Sequence, residues 1–173
     1  PIRMEKAYNQ ERSEWQSLFS KEDKGMEEDK PCWIAPDLSE GQWWDMCLPD
    51  YWEKNGLKNF DGVVWFRRSF EIPAEWIGKP LKLNLGMIDD EDITYFNGVE
   101  IARGAGYMTP RTYTIPAKLV KAGKAVLAVR VSDFGGEGGI HGKAEDLYVE
   151  ADGKRISLAG DWKYRIGLSL TGF

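Results

Sequence analysis

Phe60-Asp61-Gly62-Val63-Val64-Trp65-Phe66-Arg67-Arg68-Ser69-Phe70-Glu71-Ile72-Pro73 is an aromatic, β-branched run closed by a proline. Such side chains suit a pleated, half-buried surface, so a strand is predicted over Val63–Glu71. Shortly afterwards Ile88-Asp89-Asp90-Glu91-Asp92-Ile93-Thr94-Tyr95-Phe96-Asn97-Gly98 reads as an acidic bend, a strand and a hairpin turn. Asn-Gly supplies the two positive-φ positions of a tight hairpin, and Asp152-Gly153 repeats the signal further on.

Outward from these stretches the pattern stays β from Trp33 onward. Strands are predicted at Trp44–Leu48, Leu81–Gly86, Ile93–Phe96, Val99–Ala102, Arg111–Ile115 and Ala125–Ser132, then at Leu147–Ala151, Lys154–Leu158 and Trp162–Ile166. Ala125-Val126-Leu127-Ala128-Val129-Arg130-Val131 shows the period-two trend. Many short strands with no helix between them predict an all-β sandwich.

Residues 3–24 read as a helix. Met4, Tyr8, Trp15, Leu18 and Phe19 fall near one face, and Gly25 sits where a C-cap belongs. Ser20 to Lys30 is a charged run expected to be a solvated connection. The division is therefore a helical connector over 1–30 and a sandwich over 31–173.

Composition excludes several classes. The 173 residues carry a net charge of −5 and no basic block, which argues against a nucleic-acid partner. No apolar run approaches the roughly 20 residues of a membrane helix. The chain begins at Pro1 without an initiator Met, as expected of a processed or excised piece. Cys32 and Cys47 match no metal spacing, and two buried thiols or one disulfide are both compatible with them. Eight Trp imply large aromatic core pieces, ligand platforms, or both.

The ordered set over residues 33–167 resembles a known family. Trp44-Asp45-Met46-Cys47-Leu48-Pro49-Asp50-Tyr51-Trp52 is similar to its entry segment, and Arg111-Thr112-Tyr113-Thr114-Ile115-Pro116 to an internal strand. Ala128-Val129-Arg130-Val131-Ser132-Asp133, the loop Gly135-Gly136-Glu137-Gly138-Gly139-Ile140 and Leu158-Ala159-Gly160-Asp161-Trp162-Lys163-Tyr164 follow in the family's order. Together they resemble the jelly-roll, galactose-binding-like domain of glycoside hydrolase family 2, in the version found inside sialate O-acetylesterases. The resemblance implies a non-catalytic, carbohydrate-binding module. It implies glycan and an SGNH-type catalytic domain as partners, and a periplasmic or cell-surface location in a bacterium. A sugar-binding domain of a family 2 glycosidase such as a β-galactosidase, or a scaffold with no glycan affinity, are the alternatives.

No catalytic constellation is legible. Gly160-Asp161 is followed by Trp162, so no Gly-Asp-Ser nucleophile block forms, and His141 is the one histidine. Candidate ligand-binding residues are Trp44, Arg111, Asp133, Glu137 and His141. Trp43 and Trp44, being adjacent, cannot both face inward, and the exposed one is a platform for a sugar or a domain contact. The five glycines in the ten residues Asp133 to Gly142 make either a flexible connection or a loop that places Asp133, Glu137 and His141 at the rim. Asp89, Asp90 and Asp92 are weak Ca²⁺ candidates, with strand alternation expected to bring together only alternate members. The plainer expectation is a solvated strand entry, with one Asp bonding backbone or an arginine such as Arg111. No cofactor is otherwise expected.

Overall fold

The computed structural model describes residues 2–170, except the side chains of residues 2, 3, 5, 8, 12, 15 and 16. The expected helix positions of Tyr8 and Trp15 therefore lie outside the described side chains. A helix α1 (Ile2–Glu22) precedes the short strands β1 (Met26–Glu27) and β2 (Lys30–Pro31). The sandwich follows as β3 (Trp44–Leu48), β4 (Gly62–Ile72), β5 (Leu81–Asp89), β6 (Glu91–Phe96), β7 (Val99–Ala105), β8 (Pro110–Ile115) and β9 (Gly123–Asp133). It closes with β10 (Gly139–His141), β11 (Leu147–Ala151), β12 (Lys154–Ser157) and β13 (Gly160–Ser169).

Two antiparallel sheets form an all-β, jelly-roll sandwich. One has the order β3-β13-β4-β9-β6-β7. In the other, β5 pairs with β8 along one edge and with β11 and then β10 along the other, and β12 lies outside β11. Both predicted hairpins are present. Asn97 and Gly98 have φ of 47° and 82°, and Asp152 and Gly153 have 51° and 73°, so each pair supplies the two left-handed positions of a tight turn.

Val64, Phe66, Phe70 and Ile72 of β4 face Leu81, Leu83 and Leu85 of β5, with Trp162 and Val129 in the same core. Burying each such side chain contributes about 1.5–3 kcal/mol. The alternate residues of β4 make a second core on the outer face. Val63 and Trp65 pack there with Phe19 of α1 and with Trp33 and Trp43. Arg67, on this same outer face, is 1% exposed and donates to Glu40 Oε2 at 2.6 Å and to the carbonyls of Trp33 and Ala35.

Several expectations change here. The charged stretch Ser20 to Lys30 is largely exposed, as expected, but Asp23 departs from it: this side chain is buried and accepts bonds from Trp65 Nε1, Arg130 Nε and Gly25 N. Charge density alone does not reveal a carboxylate that has buried partners. Met4 and Leu18 are exposed while Phe19 is buried, so these three do not share a covered face. Both cysteines are free thiols, and Cys47 is exposed.

Candidate functional site

The chain passes from one sheet to the other at the Asp89–Asp90 peptide, which is cis. Asp90 N then donates to Ser132 O at 2.9 Å, bringing the end of β5 beside the end of β9. Beyond Asp133 the glycine segment loops out and returns as β10, where Gly139 pairs with Asp89. The loop is fastened from inside: Phe134 N donates to Asp90 Oδ2 at 3.0 Å and Gly135 N to Asp133 Oδ1 at 3.1 Å. Gly138 N donates to both Glu53 oxygens, and Trp52 N donates to Gly138 O. A Cβ at Gly138 would stand 2.2 Å from the Trp52 ring and 2.7 Å from Asp133 Oδ2, so only glycine fits there. Gly136, with φ of 87° and open space around it, is needed for its backbone alone.

Carboxylate oxygens of Asp89, Asp90 and Asp133 all lie within 4.8 Å of one another. Asp133 is fully buried, and its Oδ2 has no hydrogen-bond partner. Burial, followed by the bond and charge of Asp90, pushes the Asp89 carboxyl up to about 7. Burial chiefly, and the neighbouring Asp90 carboxyl, push Asp133 up to about 9 against the opposing bond from Gly135. Glu53 is also raised, mainly by burial.

Asp92 has left this cluster. Its Oδ1 accepts from Arg111 Nε at 2.6 Å and its Oδ2 from Thr94 Oγ1 at 2.8 Å, with the Tyr113 hydroxyl bonding both oxygens. The expected alternation of Asp90 with Asp92 fails because the strand does not run continuously through the sheet crossover. Adjacent Asp89 and Asp90 converge instead, joined by Asp133.

The expected ligand residues are dispersed. Arg111 is 1% exposed and commits all five N–H groups, to Asp92 and to the carbonyls of Gly106, Thr109, Ile88 and Asp90. It has no donor left for a ligand, which corrects its assignment as a binding residue. His141 is buried, stacks on Tyr51 at 4.6 Å and donates from Nε2 to Tyr107 O at 3.1 Å. Burial lowers its pKa, so the ring is held neutral. Of the loop's three candidates only Glu137 is exposed. Trp43 is 5% exposed and Trp44 64%, as their adjacency requires. Trp44 leans on Tyr164 at the start of β3, whereas the acidic rim contacts residues 50–52 beyond that strand's other end.

A cleft of roughly 500 Å³ opens between the end of α1 and β6–β7. Phe19, Glu91, Arg103, Arg130, Ser132 and Phe134 line it. Phe134 is 39% exposed and meets Phe19 at 5.1 Å between ring centres. Phe134, Arg103 and Glu53 are not among the residues expected at a site. The one available signal for Phe134 was an aromatic residue standing at the mouth of a glycine loop.

No family model and no curated protein matches the sequence. Solved structures do share the fold. A β-glucuronidase from Bacteroides uniformis, covalently bound to cyclophellitol-6-carboxylate aziridine, is 21% identical over 76% of this chain and 15% of its own, with a TM-score of 0.56. A glycosyl hydrolase family 2 member from Bacteroides cellulosilyticus is 23% identical over 62% and 17%, with a TM-score of 0.55. A Faecalibacterium prausnitzii β-glucuronidase is 22% identical over 58% and 18%, with a TM-score of 0.50. This chain thus spans less than a fifth of each of these enzymes and has the fold of a β-sandwich segment within glycoside hydrolases, chiefly β-glucuronidases.

Proposed function

We propose that this chain is a non-catalytic, carbohydrate-binding sandwich module of a carbohydrate-active hydrolase, of the kind attached to an SGNH-type catalytic domain in sialate O-acetylesterases. The observation that carries the reading is the fold itself, a sandwich that corresponds to a small segment of much longer glycoside hydrolases. Fold alone does not fix function, so the site has to bear weight as well. The lone histidine supports a non-catalytic role, since its ring is stacked on Tyr51 and its Nε2 is engaged by the Tyr107 carbonyl. The α1–β6–β7 cleft has a size usual for small-ligand pockets and combines aromatic faces with convergent charged groups. Phe134 offers a ring to the apolar face of a sugar, and Arg103, whose Nε and Nη2 are held by Glu100, offers its remaining N–H groups to hydroxyls or a carboxylate.

The test is an NMR titration of the labelled chain with galactose, glucuronic acid, sialic acid and O-acetylated sialic acid, with acetate followed in the same samples. Saturable shifts around Phe134 and Arg103, weakened in Phe134→Ala and without acetate, are the expected result. Acetate release would reject the non-catalytic reading. An absence of shifts at millimolar sugar would leave a scaffold and reject glycan binding.

A further inference from the structure

A second site lies beside that cleft and does not depend on it. Asp89 and Asp90 end the crossover from one sheet, and Asp133 ends β9 in the other, with oxygens of all three within 4.8 Å. Phe134 N and Gly135 N occupy Asp90 Oδ2 and Asp133 Oδ1. Asp133 Oδ2 has no bond of its own, although the residue is 0% exposed. A fully buried, unpartnered carboxylate oxygen in a group of three carboxylates costs free energy unless a positive charge joins the group. Asp133 is buried and Asp90 only half-buried, so the cluster has a dry side and a side open to water. Hard divalent cations bind such all-oxygen sets and complete their coordination with water.

We propose that Asp89, Asp90 and Asp133 hold one hard divalent cation of the Ca²⁺ class, clamping the end of β5 to the end of β9 beneath the glycine loop. The 2+ charge of the cation offsets most of the 3− of the three carboxylates. It fixes the two loop amides that bond Asp90 and Asp133, and so orders a segment whose glycines otherwise resist ordering.

The chain is freed of metal with EDTA, dialysed, and melted with Ca²⁺, Mg²⁺, Mn²⁺ or Zn²⁺. A ligand that binds the native state raises Tm, by about 5–10 °C for a domain this size at a hundred times Kd. Ca²⁺ is expected to produce a saturable rise with one site per chain by calorimetry. Asp133→Asn and, as a second variant, Asp90→Asn should abolish the rise, and Asp37→Asn at an exposed position should keep it. Tb³⁺ gives an independent readout, because the Trp52 ring lies close enough to Asp133 to sensitise its emission. Emission that Ca²⁺ displaces, and that Asp133→Asn lacks, supports the site. No Tm change and no emission at millimolar cation overturns it, as does a response that survives in both variants. A metal-free Asp133→Asn that melts higher while the parent ignores every cation also overturns it, since the carboxyls are then sharing protons.

Discussion

Arg111 spends one N–H on Asp92 and four on main-chain carbonyls, all within the sandwich. Arg111→Met removes the counter-charge of a carboxylate that is itself buried, leaving only Thr94 and Tyr113 to satisfy it. Breaking a buried pair from one side costs about 3–5 kcal/mol. Urea unfolding measures this directly, and a loss below about 1 kcal/mol would show that the pair is not structural. His141 sets a pH dependence of known sign. The folded ring is held neutral by burial, whereas the unfolded ring protonates near its ordinary value of about 6.5. Unfolding therefore takes up a proton below that value, and the stability that His141 contributes is present above about pH 6.5 and lost as pH falls. The stability difference between the parent and His141→Gln should shrink from pH 7.5 to pH 5. A difference flat across that range would refute the assignment.

Among the elements, α1 is held by its C-terminal end. Asp23 joins Trp65 of β4 and Arg130 of β9 at 3.0 and 2.7 Å, and Phe19 covers the same strands. Asp23→Ala strands a largely buried guanidinium and an indole N–H, at a cost of about 3–5 kcal/mol. Hydrogen exchange should then show the last turns of α1 losing protection before the sheets do, and equal loss throughout would mean that the helix is integral to the main core. Strands with alternating or β-branched residues were legible in the sequence because their side chains report the pleat. β10 was not, because Gly139 has no side chain to show the alternation and Ile140 alone sets no period. The burial of Asp23 was equally illegible, since its partners lie far away along the chain.

For the molecule as a whole, periodicity and two Asn-Gly or Asp-Gly turns were enough to predict two packed sheets. The jelly-roll assignment came from the order of motifs. The acidic rim is only half legible: Asp89-Asp90 stands out as part of a run of acids, but Asp133 and Glu53 join it through tertiary contacts that no local pattern encodes. The second core on the outer sheet face was missed for the same reason. Residues 33–43 carry too few alternations to announce that they cover β4, although Trp33, Trp43 and the partners of Arg67 do so.

The anchoring of α1 also has a consequence in time. Asp23 and Arg130 are separated by 107 residues, so the acid leaves the ribosome long before its counter-charge exists. At roughly 5–20 residues per second, that interval lasts about 5–20 s. The segment translated early thus completes its docking only after β9 has emerged, and until then the Asp23 carboxylate travels without its guanidinium partner.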